Sequence, residues 1–497
     1  MGYKESAMDA ANICDIDITG TIKKMDSRFP TGRLLITGIF VVLGGGFNFG
    51  FQVSVINPMG ESLQRFLLQS LQSRYGINFS ELSIRVFWSS VAAIIFIGAV
   101  IGASLITSII KYFGSRFLFI LIGTLMIISV FLSPLSKHTN IAELFILSRF
   151  FVGICIGMGT TVQGVFLTEI SPVSCRGFMG TLIGLSTNIG AILASAIGLP
   201  QIFGTDNLWP YAYYVELIAC IMHVLYSTFF LQENPKYFLR RENEQSANKE
   251  TNFHGDEKDV DETLKEHAET DVEEKKFSWI TFLTDRTSRK TLTISILLNC
   301  TVSFSGIMAM VFFGTSLLGT AGFTPNRAAI ANFLAGFSGT IGILIQAVTI
   351  DKMGRRILLL GSLLSLITIN AGMMTLVWIF EHNSNFWIGY CFLILFVLFL
   401  FFFSIGIGPL AWFIGAELAQ PQDRARVQSL STSAQYITCF LCPILYLPCQ
   451  KLIGPFSFLI FICPLVFATY YVYFNMPETR NCTSEEIYRL LQLGKFR

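Results

Sequence analysis

The sequence predicts an all-α membrane protein of twelve transmembrane helices in two six-helix halves. Three observations lead there. Hydrophobic residues make up 52% of the 497 positions and charged residues only 14%, and the mean hydropathy is +0.59, outside the range of soluble domains of this length. Apolar runs of roughly twenty residues, the length that crosses a hydrocarbon layer, recur twelve times. One long polar stretch, Glu233 to Lys290, leaves six runs on each side of it. Its charges, from Arg240 and Arg241 through Asp261 and Glu262, cannot bury enough apolar surface to offset the entropy of an ordered core. The net charge of +2 is dispersed between apolar runs, which excludes a nucleic-acid partner.

In chain order, a polar cytosolic leader (1–33) precedes spans at 34–57, 87–110, 117–136, 144–167, 178–203 and 211–231. The connector (232–290) has short helices at most, with an amphipathic segment at Phe277 to Leu283. Spans at 291–318, 328–350, 357–380, 386–415, 427–448 and 454–474 follow, and a cytosolic tail (475–497) closes the chain. Placing both termini inside puts seventeen Lys and Arg in short inner segments against six in outer loops, the asymmetry of cytoplasmic loops. The longest outer loop then carries Asn78 in an Asn-Phe-Ser glycosylation acceptor. The eleven cysteines fall mostly in apolar runs, where a thiol acts as a small hydrophobe, so neither a disulfide framework nor a metal site is implied.

The halves echo each other. Lys111-Tyr112-Phe113-Gly114-Ser115-Arg116 follows the second span and Asp351-Lys352-Met353-Gly354-Arg355-Arg356 the eighth. Glu169 stands seven residues before Arg176, and Glu417 seven before Arg424. Parallel halves of this kind place a solute site between them near the midplane. Further motifs are Phe49-Gly50-Phe51-Gln52, Glu169-Ile170-Ser171-Pro172, Gly408-Pro409 with Trp412 and Glu417, and Pro477-Glu478-Thr479-Arg480. In these residues the chain resembles the sugar porter branch of the major facilitator superfamily, and within it the animal facilitative hexose transporters of glucose and fructose.

The resemblance implies the major facilitator fold and a cytosolic gate of Arg116, Glu169, Arg176, Glu233, Asp351, Arg355, Arg356, Glu417, Arg424 and Glu478, latching one half to the other. Each acid lies at a helix end beside guanidinium groups, where a planar fork binds a carboxylate and releases it again to water. Ser115 and Lys111 depart from the family pattern in the first-half turn. Gly406, Gly408 and Pro409 loosen the tenth span as a gate hinge.

The family reads its sugar with amides and a tryptophan, and the implied site here is divergent. Trp412 and Gln435 occupy family contact positions, whereas Val302, Ser303, Met308 and Gly184 stand where amides are expected, and Phe312 and Phe313 where a tyrosine pair is expected. Gln52, Gln163, Asn188 and Ser303 complete the candidate substrate contacts, since a solute rich in hydroxyls needs amides and hydroxyls to satisfy it. Gln52 stands where proton-driven relatives carry an acid, which favours uniport; Glu216 and His223, ionisable groups inside a span, speak for proton coupling.

The expectation is a plasma-membrane transporter, not an enzyme, moving a monosaccharide by facilitated diffusion through alternating access. It needs no cofactor, no metal and no oligomer, and its other partner is membrane lipid. The alternatives are a transporter of another small organic solute and a non-transporting sensor that retains the fold.

Overall fold

The computed structural model describes residues 30–76, 81–110, 112–172, 175–199, 201–233, 282, 284–320, 322–382, 386–480 and 482–493. The first half comprises α1 (Gly32–Val42), α2 (Gly46–Ser54), α3 (Ile56–Tyr75), α4 (Glu81–Ile109), α5 (Ser115–Thr139), α6 (Ala142–Ile170), α7 (Arg176–Ile197) and α8 (Trp209–Phe229). The second comprises α9 (Arg286–Val302), α10 (Met308–Thr320), α11 (Pro325–Met353), α12 (Arg355–His382), α13 (Phe386–Ile405), α14 (Ile407–Leu418), α15 (Arg424–Ile453) and α16 (Leu459–Asn475), followed by a terminal helix α17 (Ser484–Leu493). Across the halves α4 packs on α15 and α7 on α11.

Among the described residues eleven helices are long and apolar enough to cross a membrane. The twelfth predicted span is α15, which has 30 residues but a polar composition. Gln428, Ser429, Ser431, Thr432, Ser433 and Gln435 are all buried, so the polarity of α15 points at its neighbours and not at lipid. Composition alone therefore understates it. Most of the connector, the leader to residue 29 and Asn78 lie outside the described residues. The second half begins earlier than expected, at Arg286, because Asp285 caps α9 by accepting from the Ser288 N–H at 2.7 Å. The tail contains an unpredicted helix: Ile487 and Leu491 of α17, one turn apart, are buried, and Arg424 Nη2 donates to Ser484 Oγ at 2.6 Å.

Three spans are interrupted. The first breaks between α1 and α2, the seventh passes through one π-helical turn (Ser303–Ile307), and the tenth breaks at Gly406. At Gly306 φ is +107°, a conformation that a side chain bearing a Cβ resists. Within hydrocarbon the backbone groups freed by such breaks need internal partners, and an amide from a neighbouring helix meets each one. Gln163 donates to Val41 O at 2.7 Å and accepts from the Gly46 N–H at 3.1 Å. Asn370 donates to Ser305 O at 3.1 Å, and Gln346 to Gly406 O at 3.2 Å. Around the tenth-span break Ser362 Oγ also accepts from the Ile407 N–H.

The first half is packed through glycines that appear in no motif above. A Cβ on Gly98 or Gly102 of α4 would strike the carbonyls of Phe150 or Ile154, and one on Gly153 or Gly157 of α6 would strike those of Ile95 or Ala99. Small residues spaced four apart on both helices let the backbones touch, the packing mode that works in lipid, where burying apolar surface gains little. Gly157→Val should therefore destabilise the half by about 1–3 kcal/mol through overpacking, seen as a lower thermal midpoint in detergent. Gly361→Ala, at a position with open space within 4 Å, should leave the midpoint unchanged or slightly raised.

Candidate functional site

The face that carries α17 and the end of α8, here the terminal face, holds the charged residues. In the first half both carboxylate oxygens of Glu233 accept from the Arg116 N–H at 3.2 Å, capping α5, while Arg116 Nη2 donates to Thr228 O at 2.5 Å. The second half repeats this. Glu478 accepts from the N–H groups of Arg355 (2.8 Å) and Arg356 (3.1 Å), capping α12, while Arg356 Nη2 donates to Tyr473 O at 2.6 Å. These contacts of Arg116, Glu233, Arg356 and Glu478 run within each half. The reason is local: the first N–H groups of a helix lack intrahelical partners, and a carboxylate close in the fold satisfies them.

Among these charged residues Asp351 makes a contact between the halves. Its Oδ2 accepts from the Phe178 N–H at the start of α7 at 3.1 Å, and its Oδ1 pairs with Arg355 Nη1 at 3.1 Å. Arg355, 1% exposed, also reaches Glu417 through its Nε at 3.1 Å. Gly177 lets α7 come this close, since a Cβ there would lie 2.5 Å from Asp351 Oδ1. Glu169 and Arg176 are buried, and Arg424 reaches Ser484 of α17. Nearby, Phe282 at the end of the connector is buried under the Arg426 guanidinium, which pairs with Asp423 at 2.9 Å. Burial raises the Asp423 carboxyl above its ordinary range, against the pull of Arg426.

Between the halves lies an aromatic cluster. Phe49 of α2 meets the Trp412 ring of α14 edge-on, centroids 5.3 Å apart, and Tyr436 of α15 at 5.8 Å. The Tyr436 hydroxyl bonds Thr160 Oγ1 of α6 at 2.8 Å, across the halves. Gln435, 1% exposed, keeps its Oε1 without a hydrogen-bond partner among the described residues. On the side away from the terminal face, Asn57 Nδ2 donates to Val311 O at 2.9 Å and Phe312 packs edge-on against Phe96.

The remaining predicted contacts are engaged elsewhere. Gln52 donates to Glu216 Oε2 at 2.7 Å, and its Oε1 accepts from Arg149 Nη1 at 3.1 Å, so both ends of the amide serve a buried cluster in the first half. His223 bonds Phe40 O. Gln163 holds the first-span break, and Ser303 ties the π turn to α15 through Gln435 O and Thr438. Asn188 accepts from Thr340 Oγ1 across the halves at 2.8 Å. The side chain of Phe313 lies outside those described. Gly406 forms the tenth-span break, Gly408 faces Phe403, and Pro409 packs on Gly184, where a Cβ would lie 2.7 Å from Pro409 Cβ.

A family model described as "Sugar (and other) transporter" matches residues 37–491. The chain belongs to this family. It is similar to the solute carrier family 2 facilitated glucose transporter member 3 of Gallus gallus, 29% identical over 460 residues, 92% of this chain and 91% of that one. Its fold is that of the proton:xylose symporter XylE bound to 6-bromo-6-deoxy-D-glucose, with a TM-score of 0.81 at 19% identity over 93% of this chain and 100% of that one. Against the inward-open form of the E. coli xylose transporter the TM-score is 0.65, at 19% identity over 92% of this chain and 99% of that one. The protein is thus a multi-pass membrane transporter of the sugar porter type and not an enzyme.

Two members of the aromatic cluster were missed in the sequence. Tyr436 adjoins Gln435 but carries no helical-face signal of its own, and Phe49 sits in a matched motif that gives no partner. Because the two caps lie in separate halves with separate partners, Glu233→Ala and Glu478→Ala should each cost about 1–2 kcal/mol. In the double variant the losses of thermal stability should add. Losses well short of additive would instead indicate one network spanning the halves.

Proposed function

We propose that the protein moves a hexose-like sugar by facilitated diffusion, its halves rocking around a site beside Trp412. The observation that carries this is that the Trp412 and Phe49 rings meet between the halves, and that Gln435, the residue before Tyr436 of the same cluster, is buried with its Oε1 unpartnered among the described residues. An aromatic face suits the apolar side of a pyranose, and a buried acceptor needs a hydroxyl donor. The relative of 29% identity is named as a facilitated glucose transporter. In this reading the terminal face is cytosolic, following the Lys and Arg asymmetry of the loops. The membrane is the plasma membrane, Asn78 is an outer glycosylation site, and the Asp351–Arg355–Glu417 chain closes the inner gate.

Uniport is favoured by Gln52. An amide cannot titrate, and this one is clamped between Glu216 and Arg149. A second reading, a less hydroxylated organic solute, is supported by Val302 and Met308, buried at family contact positions, and by the closure of Gly184 on Pro409.

Radiolabelled hexose uptake should exceed that of empty cells in a transporter-deficient host, fall at least tenfold in Trp412→Ala, and persist when the pH gradient is dissipated. Uptake of several hexoses no faster than in empty cells, with protein at the surface, would sink the sugar reading, and collapse without the gradient would sink uniport. For the gate, Arg355→Ala leaves Glu417 and Asp351 without their shared cation. It should increase labelling of a cysteine placed between the halves from the cytosolic side, severalfold over the parent; unchanged labelling would count against the gate.

A further inference from the structure

In the second half, three side chains nearer the terminal face than Trp412 share a pattern. Asn299 donates its amide nitrogen to Ser295 O at 2.9 Å and Ala411 O at 3.3 Å, and its Oδ1 has no partner among the described residues. Gln428 donates to Trp412 O at 2.8 Å and Thr432 Oγ1 at 3.2 Å, and its Oε1 likewise has none. Ser295 Oγ is unpartnered in the same way, and all three residues are 0% exposed. Since each NH2 group is anchored on an oxygen, the amides cannot gain by flipping, and what they present are acceptors.

Two of these atoms converge, and the third lies one helical turn away. A Cβ built on Gly415 would lie 3.2 Å from Gln428 Oε1 and 3.4 Å from Ser295 Oγ, and Asn299 follows Ser295 by one turn on the same face of α9. The first half borders them at Gly164, where a Cβ would lie 3.1 Å from Gln428 Nε2 and 3.0 Å from Trp412 O. The cluster therefore sits at the seam between the halves. Asn299 precedes Val302 by about one turn and Gln428 precedes Gln435 by about two, both toward the terminal face. Buried acceptors without donors are unfavourable, and no acid or base stands among these three.

We propose that Ser295, Asn299 and Gln428 form an acceptor-rich subsite, two amide oxygens and one hydroxyl, that takes the hydroxyl donors of a neutral polyhydroxy solute on the terminal-face side of Trp412. It rests on the sugar-transport reading and deepens it: the amide contacts missing at Val302, Ser303 and Met308 are supplied deeper along the pathway. Such a subsite prefers solutes bearing O–H donors and discriminates against deoxy analogues that lack them.

The test uses the full-length chain in membrane vesicles of either sidedness, with Asn299→Leu, Gln428→Leu and the conservative Gln428→Asn, and Gly361→Ala as a control. Unlabelled hexose and its monodeoxy analogues compete with labelled hexose from one face at a time. In both Leu variants the half-inhibitory concentration of hexose at the terminal face should rise roughly tenfold, and its advantage over the deoxy analogues should shrink. At the opposite face the change should stay within about twofold, and Gln428→Asn should recover part of the loss. Unchanged competition, or equal losses at both faces with a lowered thermal midpoint, would overturn the subsite and leave these residues as helix contacts. If the unmodified protein at the surface moves no monosaccharide, the transport reading itself fails and the subsite falls with it.

Discussion

A lipid-embedded backbone has no water to satisfy it, and this constraint governs where the protein can bend. The first, seventh and tenth spans are broken, and each break leaves carbonyls or N–H groups that must find partners inside the fold. Gln163, Asn370 and Gln346 supply them, each from a helix adjacent to the broken one. The amides thus decide which irregular backbone is tolerated. The breaks lie beside the aromatic cluster of Phe49, Trp412 and Tyr436, so the site is bordered by the segments held least by regular helix.

The terminal face applies the same logic to charge. Glu233 and Glu478 satisfy helix starts in their own halves, and the guanidinium groups of Arg116 and Arg356 reach carbonyls five residues ahead of those glutamates, Thr228 and Tyr473. Those contacts tie helix ends together within each half. Asp351 does something different, since it caps α7 of the first half while pairing with Arg355 in the second. Where the first half would have an equivalent of Arg355 it has Ser115, and Asp351 of the second half meets the first half at the Phe178 N–H in the first turn of α7.

Much of the fold was legible in the sequence and less of the site. The apolar runs anticipated the helices closely because burial in lipid is a composition-level requirement, and even α15 was found by length although its polar face depresses its hydropathy. The motif residues Asp351, Arg355 and Glu417 do come together. The amides were harder to read. Gln52, Gln163 and Asn188 have the same side-chain chemistry as Gln435, yet the first three have an oxygen that accepts from a protein partner, and of these four Gln435 is the one whose Oε1 has no partner among the described residues. A residue type states what a side chain can bond, and not what is within reach.

The sequence by itself determined that this chain crosses a membrane many times, in two related halves, and belongs among the sugar porters. Hydrophobic length and paired motifs are linear properties that survive without a structure. Only the tertiary structure decided which acids cap and which acid bridges, where the spans break, and which buried amides still have an acceptor to offer. Those outcomes depend on distances of a few ångströms between residues as far apart in the chain as Phe178 and Asp351 or Gly164 and Gln428, and hydrogen bonding is decided at that range.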